Sequence, residues 1–375
     1  MTAAPTGPDP RGTPTLGSLT GGQLRRLGAV AGLSRADVET YAGVLTDALG
    51  TMAERPLSLA PPTRTFLSDD HTPVEFSLSF RPDAEPSMRL LVEPGCGADS
   101  LVRNGRTGLE AIRAMARRWD FTTDVLDELQ DLFLPPVPRG PLALWCALEL
   151  RPGGVPRVKV YLNPAAGGEE RSAATVREAL HRLGHRRAFG GLPQGGGYPF
   201  LALDLGDWAE PRVKVYVRHD NLTAGQAGRL SRMDSGPGPA AVEGFFRTAA
   251  GLGPDATGLG RRPGLSCHSF TDTGTVRPSG FTLHIPVRDY VRHDGEALAR
   301  ASRVLRHHGM DASVLDRALA ALTERRPEDG VGLIAYLALA HQQDQPPRVT
   351  AYLSSEAYAV RPPAVETVRR PLPVS

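Results

Sequence analysis

The sequence predicts an α+β fold: a closed antiparallel β-barrel with a polar, basic interior, ringed by α-helices. Three observations predict it. The strand Pro-Arg-Val-Lys-Val-Tyr stands at 156–161 and recurs unchanged at 211–216, with a looser copy, Pro-Arg-Val-Thr-Ala-Tyr, at 347–352. Each copy follows an apolar strand and a turn, so each is the second arm of a β-hairpin. Amphipathic helical stretches separate the hairpins, and sequential hairpins make antiparallel neighbours.

The elements follow in order. Residues 1–17 are rich in Pro, Gly and Thr and read as a disordered tail. From Gln23 to Leu49 apolar residues fall at helical spacing, and Ser34 with Asp37 three residues on reads as a helix cap. Residues 73–80 alternate strictly and return at Ser87–Val92. A helical stretch covers Arg106–Phe133. Leu142–Leu150 turns through Pro152-Gly153-Gly154 into the first copy of the motif. After a helix at Glu169–His185, Phe200–Leu205 turns through Gly206-Asp207 into the second. Helices at Ala240–Ala250, Gly295–His308 and Ala312–Glu324 precede the third hairpin, in which Leu333–Leu339 turns through Asp344-Gln345-Pro346. No extended linker divides the chain, so residues 18–375 read as one domain.

Composition narrows the function classes. The 375 residues carry 43 Lys plus Arg and 41 Asp plus Glu, a net charge of +2, so no global field favours nucleic acid. The longest apolar runs, Leu142–Leu148 and Gly332–Ala340, are far short of the ~20 residues of a membrane span. Cys96, Cys146 and Cys267 lie far apart, without a Cys-x-x-Cys pair, which encodes neither a zinc ribbon nor a secreted disulfide framework. Pro5, Pro8 and Pro10 stand where a signal peptide needs an apolar core, and a cytoplasmic protein is expected.

The faces of the strands carry the functional argument. Side chains alternate across a strand, so Val158 and Val160 share one face while Arg157, Lys159 and Tyr161 share the other. Val213 and Val215 likewise oppose Arg212, Lys214 and Tyr216, and the third copy puts Arg348, Thr350 and Tyr352 in register. A single copy would read as a solvated strand face. Recurrence on neighbouring hairpins, with a Tyr each time, points to an enclosed interior, since helices need the valine face and closure removes the sheet edges. Clustered Arg and Lys neutralise an oligoanion, most simply a diphosphate. Tyrosine rings beside them offer π faces to a cation. Together they suit an allylic diphosphate as it ionises. In the 73–80 strand Val74, Phe76, Leu78 and Phe80 form the packing face and Glu75, Ser77 and Ser79 the other. From spacing alone, a surface carboxylate or an ion pair with an Arg is the plainer reading of Glu75.

These residues resemble the aromatic prenyltransferases of the dimethylallyltryptophan synthase type, specifically the bacterial indole-prenylating members. The resemblance spans residues 20–360. It rests on Thr72-Pro73-Val74-Glu75-Phe76-Ser77, the paired Arg-Val-Lys-Val-Tyr strands, the strand Gly280–Val287, and Ala351-Tyr352-Leu353-Ser354. It implies a barrel of ten antiparallel strands built from αββα units, and transfer of a dimethylallyl group from its diphosphate to an indole. L-tryptophan is the implied acceptor, with C6 expected as the position alkylated. By the same resemblance Glu75 hydrogen-bonds the indole N–H, and Arg89, Lys159, Arg212 and Lys214 bind the diphosphate. Tyr161, Tyr216 and Tyr352 shield the allylic cation. Phe66 and Leu67 supply backbone contacts to the amino-acid end of tryptophan. Fungal members carry Gln-x-Tyr where this chain reads Thr282-Leu283-His284, so His284 stands in the shield as a ring, a base, a diphosphate donor or an ordinary strand histidine. No cofactor and no metal are expected, because Arg and Lys do the neutralising; the partners are the two small-molecule substrates, with no nucleic acid and no membrane.

Two other readings stay open: a barrel that sequesters an anion without turnover, and a prenyltransferase of phenols, naphthalenes or cyclic dipeptides. Other motifs carry little. Asp69-Asp70-His71 stands alone without an Asp-Asp-x-x-Asp helix, and the acids Asp124, Asp127, Glu128 and Asp131 read as a solvated helix face. His181 and His185 sit four apart with no third ligand and read as exposed, and Gly195-Gly196-Gly197 reads as a loop over the barrel mouth.

Overall fold

The computed structural model describes residues 13–206, 212–253 and 258–364. Among them, ten strands close into an antiparallel barrel: β1 (Val74–Arg81), β2 (Ala84–Val92), β3 (Leu144–Glu149), β4 (Arg157–Leu162), β5 (Leu201–Leu205), β6 (Val213–His219), β7 (Gly264–Phe270), β8 (Gly280–Ile285), β9 (Ile334–Gln342) and β10 (Arg348–Ser354). Each strand pairs with its neighbours in sequence, and β1 pairs with β10, Ser77 opposite Tyr352, to complete the ring. Closure leaves none of these ten strands at an edge that could template aggregation.

The helices are α1 (Leu16–Val30), α2 (Arg35–Leu49), α3 (Leu101–Trp119), α4 (Asp124–Phe133), α5 (Ser172–Arg182), α6 (Ala224–Ala227), α7 (Pro239–Ala250), α8 (Asp294–His307) and α9 (Ser313–Leu322). They lie outside the barrel because the strands are two-faced. Val74, Phe76, Leu78, Met88, Leu90, Val158, Val160, Val213 and Val215 point outward and are buried with Val38, Leu45, Ile112, Leu129 and Phe246 of the helices in one apolar cluster. Burial at about 25 cal/mol per Å² makes this shell the main source of stability.

Several sequence expectations change at their boundaries. The stretch Gln23–Leu49 is two helices, and α1 starts earlier, at Leu16. Thr15 accepts a bond from the Ser18 N–H as its cap and bridges to Pro56. The expected tail is therefore too long; its residues 1–12 lie outside the described residues, as do Asp207 and Pro211 of the second hairpin. Ser34 does cap α2, accepting from the Asp37 N–H at 3.1 Å. Arg106–Phe133 is also two helices, divided at Asp120, whose φ of 51° is left-handed and ends α3. His185, expected to be exposed, is fully buried, with its ring 6.2 Å from that of Phe270. Strand β7 escaped the sequence reading because its outward face is polar. Ser266 and His268 sit there, linked by a buried chain: His219 Nε2 to Ser266 Oγ at 2.8 Å, and Ser266 Oγ to His268 Nε2 at 2.9 Å.

Candidate active site

Inward-facing strand residues, joined by residues outside the strands, build two chambers that share a wall. The first, about 350 Å³, is basic. Seven cationic side chains line it: Arg81, Arg89, Arg157, Lys159, Arg212, Lys214 and Arg348. Strand register explains their company, since Lys159 lies opposite Asp204 and Arg89 opposite Glu149. Asp204 holds both Lys159, at 3.2 Å, and Arg212. Glu149 accepts from Arg89 at 3.0 Å, and Arg89 also donates to Ser79 Oγ at 2.7 Å. Burial alone would raise both carboxyls. The surrounding cations outweigh it, taking Glu149 down to about 2 and holding Asp204 well below the usual carboxylate range.

Two cations carry the strain of this crowding. Burial, and then the neighbouring Lys159, push the Lys214 ammonium well below its ordinary value. Burial and Arg89 lower the Arg348 guanidinium to about 10, and its Nε has no partner. Buried positive charge in excess of its carboxylates is an anion site.

The second chamber, about 120 Å³, is lined by Phe66, Leu67, Trp145, Phe200, Leu265, Arg262, Arg288 and Tyr336. Its inner wall belongs to both chambers: Glu75, Leu91, Tyr161, Tyr216, His284 and Tyr352. The rings run as a continuous arc. Centroids are 5.2 Å apart for Trp145–Phe200, 6.1 Å for Phe200–Tyr161 and 5.8 Å for Tyr161–Tyr216. The arc continues at 5.6 Å for Tyr216–His284, 5.7 Å for His284–Tyr352 and 6.3 Å for Tyr352–Tyr336. His284 thus fills a place in the arc, with Nε2 3.2 Å from the Tyr352 hydroxyl. Burial, followed by Lys214 and Arg348, lowers its imidazole to about 3, so the ring is neutral at ordinary pH.

Glu75 is 6 % exposed and stands in the shared wall. Burial pushes its carboxyl up to about 8; the charge of Arg288 opposes the rise and that of Asp69 adds to it. The surface or ion-paired carboxylate that spacing favoured is not what the fold builds. Arg288, 3 % exposed, pairs with Asp69 at 3.0 Å and lies 5.1 Å from the Tyr336 ring centroid, while its Nε and Nη1 have no partner. Arg262 bonds the same Asp69 oxygen at 3.0 Å.

Such a barrel, with an anion chamber and an aromatic chamber sharing one wall, can hold an oligoanion beside a flat apolar acceptor. The family model for tryptophan dimethylallyltransferase matches residues 34–233. The chain belongs to this family. The 5-dimethylallyltryptophan synthase of Streptomyces coelicolor, solved in complex with DMASPP and Trp, is 83% identical, with a TM-score of 0.91 over 96% of this chain and 100% of that one. The prenyltransferase PriB, solved with L-tryptophan and dimethylallyl thiolodiphosphate, is 63% identical, with a TM-score of 0.92 over 95% and 100%. The 6-dimethylallyltryptophan synthase of Micromonospora olivasterospora, in complex with DMASPP and Trp, is 37% identical, with a TM-score of 0.86 over 93% and 100%. The protein is therefore a tryptophan dimethylallyltransferase with the ten-stranded barrel of that enzyme group.

All eleven residues singled out from the sequence line this dimethylallyltransferase cavity. Arg89, Lys159, Arg212 and Lys214 face the basic chamber; Phe66 and Leu67 line the aromatic one; Glu75, Tyr161, Tyr216, Tyr352 and His284 stand between. Phe66 is 68 % exposed at the mouth, whereas Leu67 is buried. Arg157 and Arg348 were placed on the inner face without a role. Trp145, Phe200, Tyr336, Arg262 and Arg288 were missed. Trp145 and Tyr336 sit on expected strands whose alternation could have turned them inward; Arg262 sits in a loop and Arg288 in the single 3-10 turn Val287–Asp289, where no periodicity gives a direction. Among the described residues no helix is long and apolar enough to cross a membrane.

Proposed function

We propose that the enzyme moves a dimethylallyl group from dimethylallyl diphosphate to C5 of the indole ring of L-tryptophan. The shared wall carries this reading, because it puts Glu75 and the tyrosines between the anion chamber and the acceptor chamber. The position C5 replaces the expected C6: the Streptomyces coelicolor 5-synthase is 83% identical to this chain and the Micromonospora 6-synthase 37%.

In this reading Arg89, Lys159, Arg212 and Lys214, joined by Arg348, neutralise the diphosphate as the allylic C–O bond breaks and its electron pair leaves with oxygen. The arc of Tyr161, Tyr216, His284 and Tyr352 faces the cation and excludes water, which would quench it to an alcohol. His284 serves as a neutral ring in place of the tyrosine of fungal relatives. Glu75, once ionised, accepts the indole N–H and raises the electron density of the ring. The ring π electrons form the new C–C bond, and transfer of the C5 proton to the released diphosphate restores aromaticity. Arg288, with two unpartnered nitrogens in the acceptor chamber, meets the amino-acid carboxylate.

Incubation of the protein with L-tryptophan and dimethylallyl diphosphate, with and without EDTA, tests this directly. The expected product is one dimethylallyl unit heavier than tryptophan, forms equally in EDTA and shows C5 substitution by proton NMR. Turnover of a dihydroxynaphthalene or cyclic dipeptide but not of tryptophan would overturn the acceptor. Diphosphate binding without turnover would overturn the reaction.

A further inference from the structure

Glu93 follows β2 directly and is 4 % exposed, yet no cation pairs with it among the described residues. Its donors are all neutral. Thr65 donates its hydroxyl to Oε2, Trp145 Nε1 donates to the same oxygen at 3.3 Å, and Asn104 Nδ2 donates to Oε1 at 2.6 Å. Burying a carboxylate without a counter-ion is costly unless its hydrogen bonds are complete.

Each donor leads somewhere specific. Thr65 Oγ1 accepts from the Leu67 N–H at 3.1 Å, so it fixes the loop that carries Phe66 and Leu67. Trp145 stacks on Phe200 and lines the aromatic chamber with them. Asn104 anchors the cluster to α3, donating also to the Gly95 carbonyl at 3.1 Å. The contact there is close: a Cβ on Gly95 would fall 2.4 Å from the Asn104 carbonyl oxygen, so only glycine fits.

We propose that Glu93 is a positioning residue for the acceptor: it locks the Phe66–Leu67 loop and the Trp145 ring into one wall and thereby fixes which indole carbon meets the allylic carbon. This rests on the tryptophan reading above. Glu93 touches neither substrate and acts through Thr65 and Trp145.

The test compares Glu93→Ala, Glu93→Gln, Thr65→Val and Trp145→Phe with the unaltered enzyme, reading product isomers by NMR, KM for each substrate and melting temperature. Glu93→Ala and Thr65→Val should each raise the tryptophan KM roughly tenfold, leave the donor KM unchanged and yield a second ring isomer. Trp145→Phe, which keeps a ring but loses the N–H, should also loosen the isomer ratio. Glu93→Gln should restore it, since its oxygen can accept from Thr65 and Trp145 while the unpartnered Asn104 Oδ1 turns to its amide. If Glu93→Ala fails to fold, Thr65→Val and Trp145→Phe carry the test. A lowered melting temperature with unchanged isomers and KM in these variants overturns the proposal alone. An unaltered enzyme that converts no tryptophan overturns the functional reading, and this inference with it.

Discussion

Replacing Glu75 by Gln should remove a pH dependence that the buried carboxylate imposes on the reaction. With its carboxyl pushed up to about 8, Glu75 is ionised in roughly one molecule in ten at pH 7 and nine in ten at pH 9. The ionised form accepts the indole N–H more strongly than the neutral one. At saturating donor, kcat/KM for tryptophan should therefore rise roughly 3- to 8-fold from pH 7 to 9, half-complete near about 8. Glu75→Gln should be flat across that range apart from any titration of tryptophan itself, which both proteins share. At pH 9 it should be slower by roughly 5- to 30-fold, the ~1–2 kcal/mol between a charged and a neutral acceptor. Stability supplies an independent check. The folded pKa lies above the unfolded one, so the folded protein holds the proton more tightly and stability falls as pH rises from about 4.5 to about 8, then levels. Glu75→Gln should match the parent in unfolding free energy near pH 4 and exceed it near pH 8 by an amount on the order of a few kcal/mol, seen as a higher melting temperature at pH 8 only. A parent profile that is flat from pH 6 to 9, or a Gln variant that keeps the same limb, would refute the assignment.

Lys214 predicts the opposite trend for the donor. Its pKa is depressed in the free protein and a bound diphosphate raises it, so binding takes up a proton and weakens as pH climbs above the free value; calorimetry in two buffers of different ionisation enthalpy should detect the uptake, and Lys214→Met should abolish it. His284→Ala should open the aromatic arc between Tyr216 and Tyr352 and raise the ratio of dimethylallyl alcohol to prenylated tryptophan several-fold, a ratio that His284→Tyr should bring back. Arg288→Gln should raise KM for L-tryptophan roughly tenfold but leave tryptamine, which has no carboxylate, nearly unchanged; equal losses on both would mean that Arg288 acts by tuning Glu75 instead.

What could be read from the sequence follows from where periodicity carries information. On β4, β6 and β10 alternation fixes both the strand and the direction of each side chain, so Arg157, Lys159, Arg212, Lys214 and Arg348 of the basic chamber were legible, whereas Arg81, one residue beyond the alternation read over 73–80, was not. Alternation also turned Glu75 inward, but whether inward meant water or a sealed interior depended on closure between β1 and β10, a contact made by strands at opposite ends of the chain. The acceptor chamber was harder. Five of its fourteen lining residues, Phe66, Leu67, Phe200, Arg262 and Arg288, lie outside the strands, and placement there depends on tertiary bonds such as Thr65 to Glu93 and Arg288 to Asp69. Strand β7 failed for a different reason: His268 and Ser266 face the helical shell, and a polar outward face gives no strand alternation; only the tertiary fold brings His219 to link them.

The same alternation explains why one wall can serve two chemistries. A strand residue shifted by two positions along β4 moves from the ammonium of Lys159 to the ring of Tyr161 while staying inside the barrel, and β6 repeats the step from Lys214 to Tyr216. Register through β5 aligns Tyr161 with Lys214, and the chambers sort the two kinds of group: the cations gather in one and the rings form the wall it shares with the other. An ionising allylic diphosphate has the same polarity along its length, an anion at one end and a developing cation a bond or two away. The barrel meets both charges with fixed groups that need no rearrangement when the bond breaks, inside a sheet whose outward apolar face is covered by helices. Charge is thus matched along the strands and orientation of the acceptor across them. That separation predicts that substitutions in the Glu93 bracket change the product, whereas those at Lys159 or Lys214 change the rate.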